Sequence, residues 1–292
     1  MKWPPGAKVR VHALANAPVA ASPAHFPVVL LLAGNGALVT FYSALAEDLA
    51  SHGYIVVGPE AAYRTSVVVL ANGTVLYRPP ENDPGDLPKP QAIALATRLV
   101  SMRSTDIGFV LDQLARLDTD PRGRFAGRLD LRHIGVVGHS LGGAIVAAFC
   151  RTDHRCQAGV DIDGRLFGSV ITRGLHKPFM FMFEAALSKS NYPRIFAQVH
   201  SMYADLPADS RLGLSVAGAN HFSFTDQMLL KNPILLRLMC FGGAIGGLSG
   251  RQGLQITEDY VRTFLDVYLK GLPEHNLRSL AGKYPRVRVW TH

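Results

Sequence analysis

Short, unbroken apolar runs alternate along this chain with longer segments whose apolar residues recur every three or four positions. The first run, residues 28–32, has the length and composition of a strand buried on both faces. Further strands are predicted at 54–57, 133–137, 158–162, 178–183 and 212–217, and helices at 40–52, 103–117 and 257–270. Strands that alternate with helices in this way predict a mostly parallel central sheet with helices on both faces.

Two segments interrupt the alternation. β-branched runs flank Asn72-Gly73, a pair that favours a hairpin turn, and a Pro- and Asp-rich loop follows. Residues 66–90 are therefore predicted to be an inserted hairpin and loop. Residues 228–250 are apolar but too often broken by charged residues and glycines for a membrane span, and we interpret them as an apolar flap or a buried helix. Neither a linker nor a repeat divides the sequence, so a single domain over 1–292 is expected.

Composition and charge exclude several classes of protein. The 292 residues are 48% hydrophobic and 18% charged, which is typical of a globular chain and excludes disorder, collagen and coiled coil. The formal net charge of +8 is scattered, and without a basic block or interleaved aromatics it argues against nucleic acid as a partner. The first residues lack the apolar core of a signal peptide, so a cytoplasmic location is the default expectation.

The cysteines carry no signal for a metal site. Cys150, Cys156 and Cys240 are odd in number and lack paired metal-ligand spacing. We expect free thiols, with Cys150 and Cys156 a redox pair only if their Cα atoms lie within about 7 Å.

Residues 138–142 read Gly-His-Ser-Leu-Gly, a G-x-S-x-G motif between a predicted buried strand and a small-residue helix. In that context the motif forms a sharp turn that lifts the hydroxyl of Ser140 out of the sheet at a helix N-terminus. The positive end of the helix favours a developing oxyanion there. An ordinary Gly-Ser loop is the alternative, but the strand before and the helix after favour Ser140 as a nucleophile.

A nucleophilic serine needs a histidine base and a carboxylate that orients it, and in α/β-hydrolases both follow the serine in the chain. His221 is the candidate base, because it lies in a loop just after a predicted strand. Two carboxylates qualify as the acid. Asp163 and Glu184 each follow a predicted strand and would both lie at the carboxyl edge of the sheet, so the residues alone leave the choice open.

From about Phe26 onward the sequence resembles the platelet-activating factor acetylhydrolase family of serine esterases. The similarity lies in residues 41–45, 48–56, 138–143 and 158–164. The resemblance implies an α/β-hydrolase fold, a catalytic set of Ser140, Asp163 and His221, and oxyanion donors at the backbone N–H groups of Asn35 and Leu141. It implies no cofactor and no metal.

The sequence departs from the family pattern at two places. The usual His-Gly pair of the oxyanion turn is Ala33-Gly34 here. Only about 25 residues precede the first predicted strand, so one or two leading antiparallel strands are expected to be absent or abbreviated. The first departure bears on the oxyanion donors, and the second bears only on the edge of the sheet.

Together these features predict a serine carboxylesterase acting on short to medium acyl esters, with short-chain acyl groups of phospholipids as a subset that the resemblance suggests. The expected partner is a small, lipid-like ester, and the apolar flap is compatible with contact at a lipid interface. Lipase, polyester hydrolase and amidase activity use the same residues and stay open. An inactive binding module on the same fold is the alternative from outside the enzymes.

Overall fold

A computed structural model describes residues 11–83, 87–185, 193–229 and 248–291. Its strands are β1 Phe26–Leu32, β2 Ile55–Val57, β3 Val67–Val69, β4 Val75–Tyr77, β5 Leu129–His139, β6 Cys156–Ile162, β7 Phe179–Glu184, β8 Arg211–Val216 and β9 Val287–Val289. Its α-helices are α1 Ser43–Ser51, α2 Lys89–Thr119, α3 Leu141–Thr152, α4 Val170–Arg173, α5 Pro193–Asp205, α6 Gly250–Lys270 and α7 His275–Lys283. Short 3₁₀ helices cover Val39–Tyr42, Pro80–Asn82 and Asp226–Leu229.

Seven strands form one sheet in the order β2-β1-β5-β6-β7-β8-β9. Every neighbouring pair is parallel except β8 and β9, which are antiparallel. The chain leaves β1 toward one edge of the sheet and returns to β5 on the other side of β1, so the strand order reverses between these two strands. In open α/β sheets a crevice forms at such a reversal, outside the carboxyl ends of the strands. The predicted mostly parallel sheet is confirmed.

Helices cover both faces of the sheet, which explains why the strands are apolar throughout. Leu30 of β1 packs into one cluster with Ile107 of α2 and Phe149 of α3. The next residue, Leu31, points to the opposite face and joins a cluster with Phe264 of α6. The alternation of side chains along a strand thus divides β1 between two cores.

The predicted elements differ from the observed ones mainly at their ends, while α4, α7 and β9 were not predicted. Helix α2 begins at Lys89 rather than near residue 103, because Pro90 stands in its first turn, where a missing N–H leaves no hydrogen bond unmade. The predicted hairpin is confirmed, with Val69 opposite Val75 and Gly73 at φ +83° in the turn. Residues 11–25 form no strand. Most of the predicted flap, residues 230–247, lies outside the described residues.

The expectation of free thiols is wrong for two of the three cysteines. Cys150 and Cys156 are joined by a disulfide, with their Cα atoms 5.0 Å apart. Cys150 lies in the last turn of α3 and Cys156 begins β6, so the short connection between the two elements brings the residues within disulfide range. Cys240 lies outside the described residues.

Candidate active site

Ser140 lies at the sharp turn between β5 and α3, at the reversal of strand order. Its backbone has φ +58° and ψ −121°, a conformation that costs a non-glycine residue free energy and is found mostly at functional sites. The Ser140 N–H donates to the carbonyl of Ile162 at 2.8 Å, which fastens the turn to the end of β6. The side chain is half-buried. The structure therefore places Ser140 as the motif predicts.

Two glycines of the motif are required by close backbone contacts. A Cβ atom added at Gly138 would lie 2.3 Å from the Gly142 carbonyl group, and one added at Gly142 would lie 2.3 Å from the Leu32 carbonyl oxygen. These distances are far below van der Waals contact, so any side chain at either position would push α3 away from the sheet. The glycines allow α3 to begin directly above β1 and β5.

His221 and Asp163 come together from separate loops at the carboxyl edge of the sheet. The Nδ1 atom of His221 lies 2.6 Å from Oδ2 of Asp163. The Asp163 side chain is only 2% exposed, whereas the His221 ring is 38% exposed. Because the carboxylate only accepts, Nδ1 carries the proton and donates, which leaves Nε2 as an acceptor. This is the tautomer that a general base for a serine requires.

The loop that carries His221 is held by its own polar residues. The N–H of Asn220 donates to Ser223 Oγ at 2.9 Å, and the N–H of Phe222 donates to Asn220 Oδ1 at 2.9 Å. Helix α6 packs closely on this loop, since a Cβ atom at Gly253 would lie 2.3 Å from the Ser223 carbonyl oxygen. The imidazole thus extends from a fixed backbone.

Glu184, the other candidate acid, contacts Asp163 through its backbone. Its N–H donates to Asp163 Oδ1 at 3.1 Å. One carboxylate oxygen of Asp163 therefore bonds the backbone of Glu184, and the other bonds His221. The Glu184 side chain is half-buried. Burial, followed by the negative charge of Asp163, raises the pKa of Glu184 to about 7. The histidine contact is therefore made by Asp163, and Glu184 adds a titratable carboxyl beside it.

The turn after β1 approaches Ser140 from the other side. A Cβ atom at Gly34 would lie 3.2 Å from Ser140 Cβ, which measures how closely the turn passes. The next residue, Asn35, is exposed. Leu141 is the first residue of α3, where backbone N–H groups have no partner within the helix. The two predicted oxyanion donors thus belong to segments that flank Ser140.

The inserted hairpin fastens the same turn. The carbonyl of Gly36 accepts hydrogen bonds from the N–H and Oγ–H of Ser66, at 3.0 and 2.6 Å. At the same end of the hairpin as Ser66, Arg78 Nη1 donates to Asn35 Oδ1 at 3.3 Å, and Arg78 also pairs with Asp83. The insertion therefore contacts the turn that carries the predicted oxyanion donor Asn35, an interaction that the sequence pattern did not reveal.

Sequence reasoning missed two buried polar residues at the site. His139, which precedes Ser140, bonds Tyr42 and the backbone of His221. Asp161 lies under the turn: its Oδ1 accepts from the Gly164 N–H at 2.9 Å, and its Oδ2 is buried without a hydrogen-bond partner in the described part of the chain. Burial above all raises the pKa of Asp161 well above its usual range. A carboxyl group inside an otherwise apolar strand was the signal available for Asp161.

The described residues contain no cluster of histidine, cysteine and carboxylate side chains that could hold a metal ion. No helix within the described ranges is long and apolar enough to cross a membrane.

A serine at a strand-to-helix elbow on a mostly parallel sheet, with a histidine and an aspartate after later strands, defines the α/β-hydrolase fold. A ferulic acid esterase from Streptomyces cinnamoneus has the same fold, with a TM-score of 0.77 and 28% sequence identity over 92% of this chain and 75% of that one. The sequence profile described as platelet-activating factor acetylhydrolase, isoform II, matches residues 6–72 and 95–276, and the chain belongs to this family.

Curated relatives of this chain have names that state an activity. A probable 1-alkyl-2-acetylglycerophosphocholine esterase of Arthroderma benhamiae is 25% identical over 89% of this chain and 65% of its own length. A platelet-activating factor acetylhydrolase of Bos taurus is 26% identical over 75% of this chain and 52% of its own length. The chain thus spans between about half and two thirds of the length of these relatives.

Proposed function

We propose that this chain is a serine esterase that hydrolyses short to medium acyl esters of carboxylic acids through an acyl-enzyme on Ser140. The observation that carries the proposal is the 2.6 Å contact between His221 and buried Asp163 at the sheet edge that also holds the strained Ser140 elbow. Membership of a family whose named relatives are esterases supports the same reaction.

In this mechanism His221 is the base. Asp163 accepts a hydrogen bond from the Nδ1–H of His221, so Nε2 takes the proton of Ser140 Oγ as the oxygen attacks the ester carbonyl carbon. The resulting imidazolium is stabilised by the buried carboxylate. Asp163 does not itself take up a proton.

The carbonyl oxygen gains a negative charge in the tetrahedral intermediate. The backbone N–H groups of Asn35 and Leu141 would bind it, and the N-terminus of α3 adds a favourable field. Collapse of the intermediate breaks the ester C–O bond, and the alcohol leaves with the proton from His221. Water then attacks the acyl-enzyme with His221 again as base, which releases the carboxylic acid and restores Ser140.

The substrate class rests on the surroundings of the site. The hairpin beside the oxyanion turn has an apolar outer face on which Val69 is 66% and Tyr77 69% exposed. This face is compatible with a hydrophobic substrate, and the relatives' names include an acetylglycerophosphocholine esterase. Short-chain acyl groups on lipid-like alcohols are therefore the substrates we favour.

The test is hydrolysis of p-nitrophenyl esters of increasing acyl length by wild type and Ser140→Ala, with a fluorophosphonate probe and intact-mass detection. We expect turnover and a single label in wild type, and a loss of about 10⁴–10⁶-fold in the variant. The acyl length with the highest kcat/KM then indicates the length of acyl chain that the pocket accepts. A folded wild type that neither turns over nor is labelled would contradict the proposal and favour a binding module.

A further inference from the structure

The side chain of His139 connects parts of the site that are far apart in sequence. It is 4% exposed, and its ring lies against that of His221, with the centroids 4.5 Å apart. His139 Nε2 is 2.8 Å from the carbonyl oxygen of His221, and Nδ1 is 2.9 Å from the hydroxyl of Tyr42. The Tyr42 hydroxyl in turn is 3.2 Å from the backbone nitrogen of Gly34.

The chemistry of the partners determines the direction of all three hydrogen bonds. A carbonyl oxygen only accepts, so the proton of His139 is on Nε2 and is donated to His221. A neutral imidazole then has an acceptor at Nδ1, to which the Tyr42 O–H donates. The Tyr42 oxygen still has a free lone pair, which accepts from the Gly34 N–H.

His139 is held in the neutral form that this arrangement needs. Burial, and then the neighbouring charge of His221, lowers the pKa of His139 to about 3. The ionisable groups that influence it are Tyr42, His221 and Asp163. Burial above all also raises the pKa of Tyr42, so its hydroxyl keeps the proton that it donates.

Each end of this hydrogen-bond chain is at, or next to, a residue of the proposed mechanism. Gly34 precedes Asn35, His139 precedes Ser140, and the carbonyl belongs to His221 itself. The oxyanion turn, the nucleophile and the base come from three separate segments, whose mutual positions decide the rate. An error of about 1 Å in such positions can cost about 10²-fold.

We propose that Tyr42 and His139 are positioning residues, which hold the oxyanion turn, Ser140 and His221 in register through the hydrogen bonds from Gly34 to the His221 carbonyl. The inference rests on the proposed function. Neither residue touches the reacting atoms, and no proton moves along this series of hydrogen bonds during the reaction.

The experiment compares Tyr42→Phe, His139→Phe and the double variant with Tyr54→Phe. Tyr54 is the matched control, because it is also buried, at 3% exposure, and its hydroxyl donates to Asp266 at 2.8 Å. For each protein we would measure kcat and KM on a p-nitrophenyl ester, the rate of fluorophosphonate labelling, and Tm. Wild type and Ser140→Ala are included throughout.

We expect Tyr42→Phe to lower kcat and the labelling rate by about tenfold to a hundredfold, with KM changed by less than about threefold. Tyr54→Phe should lower Tm by about as much as Tyr42→Phe does, while its kcat stays near that of wild type. Because the two residues act as one unit, the double variant should be no slower than the slower single variant.

A purely structural role would overturn the proposal. It would appear as a Tyr42→Phe variant that loses Tm like Tyr54→Phe but keeps wild-type kcat and labelling. If His139→Phe fails to fold, Tyr42→Phe decides the question, since it removes a single oxygen.

Failure of the proposed function has a different signature, namely a folded wild type without turnover or labelling. The hydrogen-bond chain is then tested by ¹⁵N NMR of the His139 ring in wild type. A neutral ring with the proton on Nε2 between pH 5 and 8 supports the chain. A proton on Nδ1, or titration near pH 6.5, overturns it.

Discussion

Asp163 accepts a 3.1 Å hydrogen bond from the backbone N–H of Glu184 on one oxygen, while its other oxygen lies 2.6 Å from His221 Nδ1. Both candidate acids are thus at the site, but they contribute different atoms. Asp163 presents its carboxylate to His221, and Glu184 presents a main-chain donor to that carboxylate. A side-chain substitution at Glu184 leaves this donor in place.

The first prediction follows from that division. Asp163→Asn should lower kcat by about 10³–10⁴-fold, since the amide no longer holds His221 in the tautomer with the proton on Nδ1. Glu184→Gln should stay within about threefold of wild type at pH 7. Steady-state kinetics of both variants, with Tm as a check on folding, measure this. A larger loss for Glu184→Gln would mean that Glu184 is the acid.

The second prediction concerns Glu184 and stability. Its pKa is raised from 4.5 to about 7 in the folded chain, so the folded state holds this proton more tightly than the unfolded state. The associated stability is present below pH 4.5 and is lost as the pH rises toward 7 and above. Wild type should therefore lose stability relative to Glu184→Gln across pH 4.5–7.5. Urea unfolding at several pH values tests this prediction. If the free energies of unfolding of wild type and Glu184→Gln change in parallel with pH, the prediction is wrong.

The third prediction concerns His139, whose effect on stability has the opposite pH dependence to that of Glu184. The folded pKa of His139 is about 3, well below the usual 6.5, so the unfolded state binds a proton that the folded state excludes. The contribution of neutral His139 to the free energy of unfolding is therefore present above pH 6.5 and is lost as the pH falls toward 3. Over that range the unfolding constant should rise by about tenfold per pH unit.

Urea unfolding between pH 6 and 4 measures this slope. His139→Phe lacks the titrating group and should show a slope that is smaller by one proton. Equal slopes in wild type and variant would show that His139 is protonated in the folded protein.

The sequence predicted the parts of the fold that depend on local pattern. Unbroken apolar runs located β1 and β5, Asn72-Gly73 located the hairpin, and the G-x-S-x-G spacing located Ser140. It did not predict the start of α2, because Pro90 ends a helix in most contexts but is tolerated in the first turn.

The contacts that join distant segments were beyond a local pattern. Asp163 and Glu184 occupy equivalent places at strand ends, and only their three-dimensional arrangement shows which carboxylate faces His221. The same holds for His139, whose place in the motif does not reveal that its ring bonds Tyr42, nearly a hundred residues away. The Cys150–Cys156 disulfide likewise depends on how α3 returns to β6.

The last prediction concerns Asp161, which links α3, the helix that follows Ser140, to the loop that carries Asp163. Its Oδ1 accepts from Gly164 N–H at 2.9 Å and lies 1.8 Å from where a Cβ of Gly143 would be, so α3 packs directly on the carboxyl group. The adjacent Asp163 has φ +54°, a conformation that the turn must hold. Burial above all raises the pKa of Asp161 well above its usual range, which favours the neutral, protonated form of the carboxyl group.

Asparagine, a neutral side chain of the same shape, should therefore substitute for Asp161 without loss of stability or activity. Asp161→Asn should keep Tm and kcat near wild type, whereas Asp161→Leu leaves the Gly164 N–H unpaired, which costs about 1–3 kcal/mol and should also lower kcat as the Asp163 turn relaxes. Asp118→Leu is the control, because Asp118 accepts from the Leu129 N–H at 2.9 Å away from the site and should lower stability alone. Urea unfolding and kcat separate the two effects. If Asp161→Asn is as damaging as Asp161→Leu, the site needs an ionised carboxylate at this position.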